Sequence, residues 1–170
     1  MNIFLPPLRP PGAVPEASFV QRCIRCGKCV TICPYQSIHL LGGFGKIRQT
    51  PAINPEKIPC YLCLKCPPVC PTGALEPVQD LTRVQMGQAY IRKDRCHNYT
   101  DGIMCMTCYD RCPLRGSAVI LAYGLEPAMT KQCVGCGICV YVCPVKAISL
   151  IPKSANLIPE TAAPLAKVTP

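Results

Sequence analysis

Sixteen cysteines carry the chemistry open to this 170-residue chain. They stand in four groups: Cys23, Cys26, Cys29, Cys33; Cys60, Cys63, Cys66, Cys70; Cys96, Cys105, Cys108, Cys112; and Cys133, Cys136, Cys139, Cys143. The first members lie 37, 36 and 37 residues apart, which makes the groups an internal repeat. Three groups are spaced C-x2-C-x2-C-x3-C, the third widens its first gap to eight residues, and all four end in Cys-Pro, at Pro34, Pro71, Pro113 and Pro144. Thiolates in fours suit a cubane of iron and sulfide. Three ligands two residues apart let one looping backbone reach three corners, a fourth from elsewhere closes the cage, and the proline stops the helical turn that follows. The same run, with its fourth Cys ligating the other cluster of a pair, marks bacterial 4Fe-4S ferredoxins.

Zinc would use paired C-x2-C knuckles with longer spacers, often with histidine. The chain has two histidines, His39 and His97. A zinc-stabilised structural or nucleic-acid-binding module is the alternative from another class, and an iron–sulfur redox sensor a third. The formal charge of +9 argues for nucleic acid only if every Cys is neutral. Sixteen thiolates around four 2+ cores carry about −8, which leaves the holoprotein near about +1. The basic excess therefore reads as compensation for cluster charge, with no nucleic-acid partner. There is no Walker motif and no G-x-G-x-x-G after a strand. The expectation is a non-catalytic electron carrier.

No apolar run approaches the ~20 residues of a spanning helix, so the chain is not expected to span a membrane. Pro6, Pro7, Pro10, Pro11 and Pro15 break any helical segment of a secretory signal. Together with the cysteine content, this gives a cytoplasmic expectation.

The elements that must position the ligands are short. Gln88 to Arg92, Ala118 to Ala122 and Ala147 to Ile151 read as strands, and each terminal Cys-Pro as one or two helical turns. Gly42, Gly43, Gly45, Pro51, Pro55 and Pro59 mark the first linker. The fold class expected is α+β: two fused bacterial-ferredoxin-like units, each with two 4Fe-4S clusters, little regular structure and Pro-rich ends. Equal spacing fits consecutive pairing of the groups as well as nested pairing. Gly27 and Gly137, alike in the first and fourth groups, favour nesting. The expected division is then a Pro-rich extension, 1–20; an outer unit, 21–50 with 114–151; an inner unit, 51–113; and a tail, 152–170. The matching clusters are Cys23/Cys26/Cys29/Cys143, Cys60/Cys63/Cys66/Cys112, Cys96/Cys105/Cys108/Cys70 and Cys133/Cys136/Cys139/Cys33.

Arg22, Arg25, Lys28, Lys65, Arg95 and Arg111 each precede a Cys. They either raise cluster potentials or sit solvated as charge offset. His97 is expected at the surface or as a cap, not as a ligand. Tyr35, Tyr61, Tyr109 and Tyr141 are expected to pack against clusters and exclude water. The insert His97 to Met104 is either a partner-docking loop or an idle one, and the Pro-rich ends are expected to build no core.

The stretches RPPGAVPEASFVQRCIRCGKCVTICP (Arg9 to Pro34), IPCYLCLKCPPVCPTGAL and DRCHNYTDGIMCMTCYDRCPL resemble the NapG/MauM family of ferredoxin-type proteins, over roughly Arg9 to Leu150. The resemblance implies four 4Fe-4S clusters relaying electrons, with nested pairing, in quinol-linked periplasmic electron transfer. Members of that family carry a twin-arginine export signal and an extra spacer in the second group, neither of which stands in this sequence. The chain also resembles the small polyferredoxin subunit of tungsten-containing aldehyde oxidoreductases. That resemblance implies a cytoplasmic hetero-oligomer, with electrons passing between a tungsten or molybdenum catalytic subunit and an acceptor, a flavin subunit or a ferredoxin. This second resemblance gives the main expectation.

Overall fold

The computed structural model describes residues 6–123 and 126–155. Residues 1–5 of the expected extension and 156–170 of the expected tail lie outside the described residues.

One local rule repeats after every Cys-Pro. Proline ends the helical turn, and a few residues on the chain runs extended. This gives β1 (Ile38–Leu40) after Pro34, an isolated bridge at Leu75 after Pro71, β4 (Val119–Ala122) after Pro113 and β6 (Ile148–Pro152) after Pro144. Each has an antiparallel partner. β2 (Pro51–Ile53) pairs β1, with Ile38 opposite Ile53; β3 (Gly87–Ile91) pairs β6 over five residues; and β5 (Glu126–Met129) pairs β4. The helices are as short: α1 (Glu16–Arg22), α2 (Lys28–Thr31), α3 (His97–Thr100), α4 (Thr107–Asp110) and α5 (Ile138–Val142), with a 3-10 turn at Pro67–Val69. Two-stranded ribbons of three to five residues are not stable alone in water. Their stability has to come from what they enclose.

The expected strands are found, each within a residue of its expected start, and the chain is α+β with little regular structure. Nesting is not what the backbone does. The linker after the first group folds back as the β1–β2 hairpin, and Ser37 Oγ donates to the Pro59 carbonyl at 2.6 Å, so the second group returns beside the first. The linker after the third group folds back as β4–β5, and β3–β6 clasps the ends of that half. The outer unit 21–50 with 114–151 and the inner unit 51–113 are thus replaced by two consecutive halves meeting near Met86. A local hairpin closes a short loop at low entropic cost, whereas nesting would need long crossings.

The extension 1–20 also departs from expectation, because much of it is core. Leu8, Arg9, Pro10, Pro11 and Phe19 are buried. Proline has its φ fixed and no N–H to satisfy, so a proline-rich strip buries at little polar cost. The Leu8 carbonyl accepts from Ile53 N at 2.8 Å and the Gly12 carbonyl from Glu76 N at 2.7 Å. Arg9 locks this strip in place. Its guanidinium pairs with the Glu16 carboxylate, donates to Thr50 Oγ1 and the Pro51 carbonyl at 2.8 Å each, and lies 4.5 Å from the Phe19 ring centroid.

The halves share a seam. Cys60 N donates to the Cys136 carbonyl at 2.9 Å and Met86 N to the Val134 carbonyl at 3.0 Å, while Val134, Cys136 and Ile138 join the apolar core of the first half. Gly135, at φ 74°, lies so close to Gly87 that a Cβ would stand 2.3 Å from its backbone nitrogen. Only glycine fits there.

Candidate metal centres

Four pockets hold the cysteines. The first is lined by Cys23, Cys26, Cys29 and Cys70, and the second by Cys60, Cys63, Cys66 and Cys33. The third is lined by Cys96, Cys105, Cys108 and Cys143. The fourth is lined by Cys133, Cys136, Cys139 and Cys112, with Cys108 on the wall it shares with the third. All sixteen cysteines are accounted for, three from one group and the fourth from its neighbour. The nested sets do not assemble. Cys143 closes the third cavity rather than the first, Cys70 the first rather than the third, Cys112 the fourth rather than the second, and Cys33 the second rather than the fourth.

The glycine likeness that favoured nesting has a local cause. The backbone must turn left-handed two residues after the first Cys and one after the second, and it does so at Arg25 and Gly27, Leu62 and Leu64, Gly135 and Gly137. Gly27 and Gly137 relieve that strain in their own loops. Gly137 also lies against Pro55, where an added Cβ would stand 2.4 Å from the proline Cβ, and neither glycine marks which group supplies the fourth ligand.

The donor sets fit a cluster and do not fit a single ion. Tetrahedral zinc draws thiolates to about 2.3 Å around one point. Among the described residues no three Cys, His, Asp or Glu side chains converge that way. Each quartet instead lines a pocket walled by apolar side chains such as Ile148, Leu64 and Phe19. Burial pushes the Cys29 and Cys60 thiols up to about 11 and those of Cys66, Cys108 and Cys136 up to about 12, and it raises Cys139 as well. Thiolates at those positions need positive charge beside them, which a cluster's iron provides. Cys70 shows the opposite balance. Burial raises its thiol, but amide donors led by Leu75 N, at 3.4 Å from Sγ, outweigh it and the thiol is lowered. Cys143 Sγ likewise accepts from Ala147 N at 3.2 Å.

Flanking residues sort themselves by contact. Arg25 is neither a free counter-charge nor a tuning group alone: its Nε donates to the Arg48 carbonyl at 3.0 Å and its Nη2 to the Lys46 carbonyl at 2.9 Å, tying the β1–β2 loop to the first quartet. Arg22 meets Glu76 at 3.7 Å and Arg95 meets Asp94 at 3.9 Å, both in exposed pairs. His97 opens α3 with its Nδ1 2.7 Å from Asp101 Oδ2, and it also lines the third cavity beside Cys96. Tyr35 and Tyr61 pack ring to ring at 4.5 Å over the second cavity, as expected for excluding water. Tyr141 is 44% exposed and does not line a cavity. The insert bears the exposed Ile103 and Met104 and is held at its far end by Cys105 N donating to Asn98 Oδ1 at 3.1 Å.

Sequence comparison agrees with this geometry. A 4Fe-4S dicluster domain matches residues 22–74, taking in the first two groups together, and a 4Fe-4S binding domain matches residues 129–149. The methylamine utilization ferredoxin-type protein MauM of Paracoccus denitrificans is 34% identical over 169 residues, covering 88% of this chain and 73% of the relative. The ferredoxin-type protein NapG of Escherichia coli is 35% identical over 165 residues, covering 86% and 71%. NapF of the same organism is 31% identical over 148 residues, covering 84% and 83%. Relatives of the MauM and NapG kind displace the tungsten-enzyme subunit as the better reading of the resemblance. The chain belongs to the ferredoxin-type MauM/NapG family of electron-transfer proteins, and its cofactors are 4Fe-4S clusters.

Proposed function

We propose that the chain is a non-catalytic relay with four 4Fe-4S sites, held by the four quartets of neighbouring groups and joined in the order first, second, fourth, third. Each cluster, when bound, exchanges one electron at a time. The protein's part is to hold the sites in line and keep water out.

Contacts between adjoining quartets carry the order: Cys60 N donates to the Cys136 carbonyl at 2.9 Å, and Cys108 lines the fourth cavity as well as the third. Thiols of adjoining quartets also raise one another's pKa: Cys66 of the second quartet senses Cys29 of the first, Cys136 of the fourth senses Cys60 of the second, and Cys139 of the fourth senses Cys108 of the third. The seam therefore joins the second and fourth quartets and leaves the first and third at the ends. Space does not follow the order of the sequence.

The reading extends to a hetero-oligomeric setting, in which the relay links a catalytic oxidoreductase subunit to an electron acceptor in a system of the kind MauM and NapG serve. Methylamine utilization in the relative's name supports an oxidoreductase partner. The cysteine content supports cluster loading in the cytoplasm, where thiols stay reduced. Anaerobic purification should give brown protein with about 16 Fe, four per cluster, bleached by dithionite. Colourless protein holding stoichiometric zinc overturns the reading.

A further inference from the structure

We propose that the first-quartet end of the relay is a docking face for an electron-carrier protein whose own contact surface is acidic around an apolar centre. The inference rests on the relay reading, which makes this quartet a terminus.

Three observations meet at this end. Cys26 is the one exposed cysteine of the sixteen. Beside it the β1–β2 loop, fastened to the quartet through Arg25, holds Phe44 at 93% exposure, and Ile24 of the ligand loop is 61% exposed. From residue 17 to 55 the sequence has no Asp or Glu, and among the described residues Lys28, Lys46 and Arg48 make no ion pair. Arg22 is paired with Glu76, and the other four cations of that stretch against a cluster site of about −2 leave about +2, so compensation does not use up the charge. At the opposite terminus Arg92, Lys93, Arg95 and Arg111 stand against Asp94, Asp101 and Asp110, and with a cluster site of about −2 that end carries about −1. An apolar centre with a charged rim is the anatomy of a transient interface, and single-signed charge steers a partner of the other sign. A lipid surface would also accept basic and aromatic side chains, but it has no use for an exposed redox site at the middle of the patch.

The test uses the cluster-loaded full chain and an acidic flavodoxin as probe. The flavodoxin, reduced to the hydroquinone, passes one electron to an oxidised cluster and becomes the semiquinone. Binding at low salt should weaken as salt rises, and the Lys46→Glu/Arg48→Glu variant should cut the association rate by about tenfold. Phe44→Ala should raise Kd without changing the salt dependence. Semiquinone formation should slow in step with binding. With iron and visible absorbance intact, flavodoxin binding insensitive to salt and to charge reversal overturns the docking face and leaves the relay standing. Loss of binding to phosphatidylglycerol vesicles in that variant, with flavodoxin binding unchanged, assigns the face to lipid and also overturns it. Iron-free protein overturns the relay and this inference together.

Discussion

The two halves of the molecule are built to one plan and held together by different means. In the second, β3 and β6 make a five-residue ladder that clasps its ends. In the first, the equivalent ladder shrinks to the isolated bridge between Ala13 and Leu75, and a buried arginine makes up the difference. Arg9 gathers Glu16, Thr50, Pro51 and Phe19 around one guanidinium, work that backbone pairing does in the other half. The same cluster-binding turn therefore tolerates either a backbone clasp or a side-chain clasp. Charge differs as well, since residues 17–55 are wholly basic where the third-group end is mixed.

Removing iron should have the largest effect and should hit the halves unequally. Because ligation supplies folding free energy, chelation is expected to unfold the first half outright. The β3–β6 ladder should persist longest, which amide hydrogen exchange followed by mass spectrometry would register. Equal loss of protection in both halves would erase the contrast. Next, Arg9→Ala leaves the partly buried Glu16 carboxylate without its partner and should cost about 1.5–3 kcal/mol. Thermal unfolding should then separate into two steps, with the 4Fe-4S sites of the second half surviving the first step.

Gly135→Ala attacks the seam instead of either half. Its Cβ meets Gly87 backbone, so the halves must part slightly, at a cost of about 1–3 kcal/mol. All four sites should stay filled while electron equilibration between the halves slows, a change visible by freeze-quench EPR.

Acid should favour iron loss. The buried thiols of Cys60, Cys66, Cys108 and Cys136, at about 11 to 12, are protonated across the neutral range in the absence of iron. Each ligand then gives up one proton on loading, so retention against a chelator should rise from about pH 6 to about pH 8. The sign reverses for the apo fold: thiols raised above their unfolded value disfavour it once pH climbs through the unfolded thiol pKa of about 8.5. The smallest effect is expected for Arg22→Ala, which breaks an exposed pair with Glu76 and should change stability by at most about 1 kcal/mol.

The gathering of the cysteines in fours was legible because their spacing repeats along the chain. β3, β4 and β6 were legible because their runs are rich in aliphatic and aromatic residues. β2 and β5 were not, since Pro51 and Pro127 lower a strand reading and both sit where the ladder tolerates a missing donor. The buried strip from Leu8 to Phe19 was hidden for a related reason. Proline density reads as a tail, although chains of fixed φ without N–H groups bury readily. Pairing was misread because Gly27 and Gly137 answer to left-handed turns, and Gly137 also to Pro55, rather than to a partner group. The partner of each group is chosen outside it, by hairpins such as β1–β2. Arg9 and Arg25 left a signal only as cations in apolar or cysteine-rich surroundings, and nothing in the sequence names Thr50 or the Lys46 carbonyl as their partners.

The central claim is that neighbouring groups share clusters, and the Cys23→Ala/Cys70→Ala double variant tests it most directly. If both thiols belong to one site, iron falls from about 16 to about 12, one 4Fe-4S signal disappears, and the other three keep their EPR spectra. Damage to two separate clusters in that variant, each missing one ligand, would contradict the account.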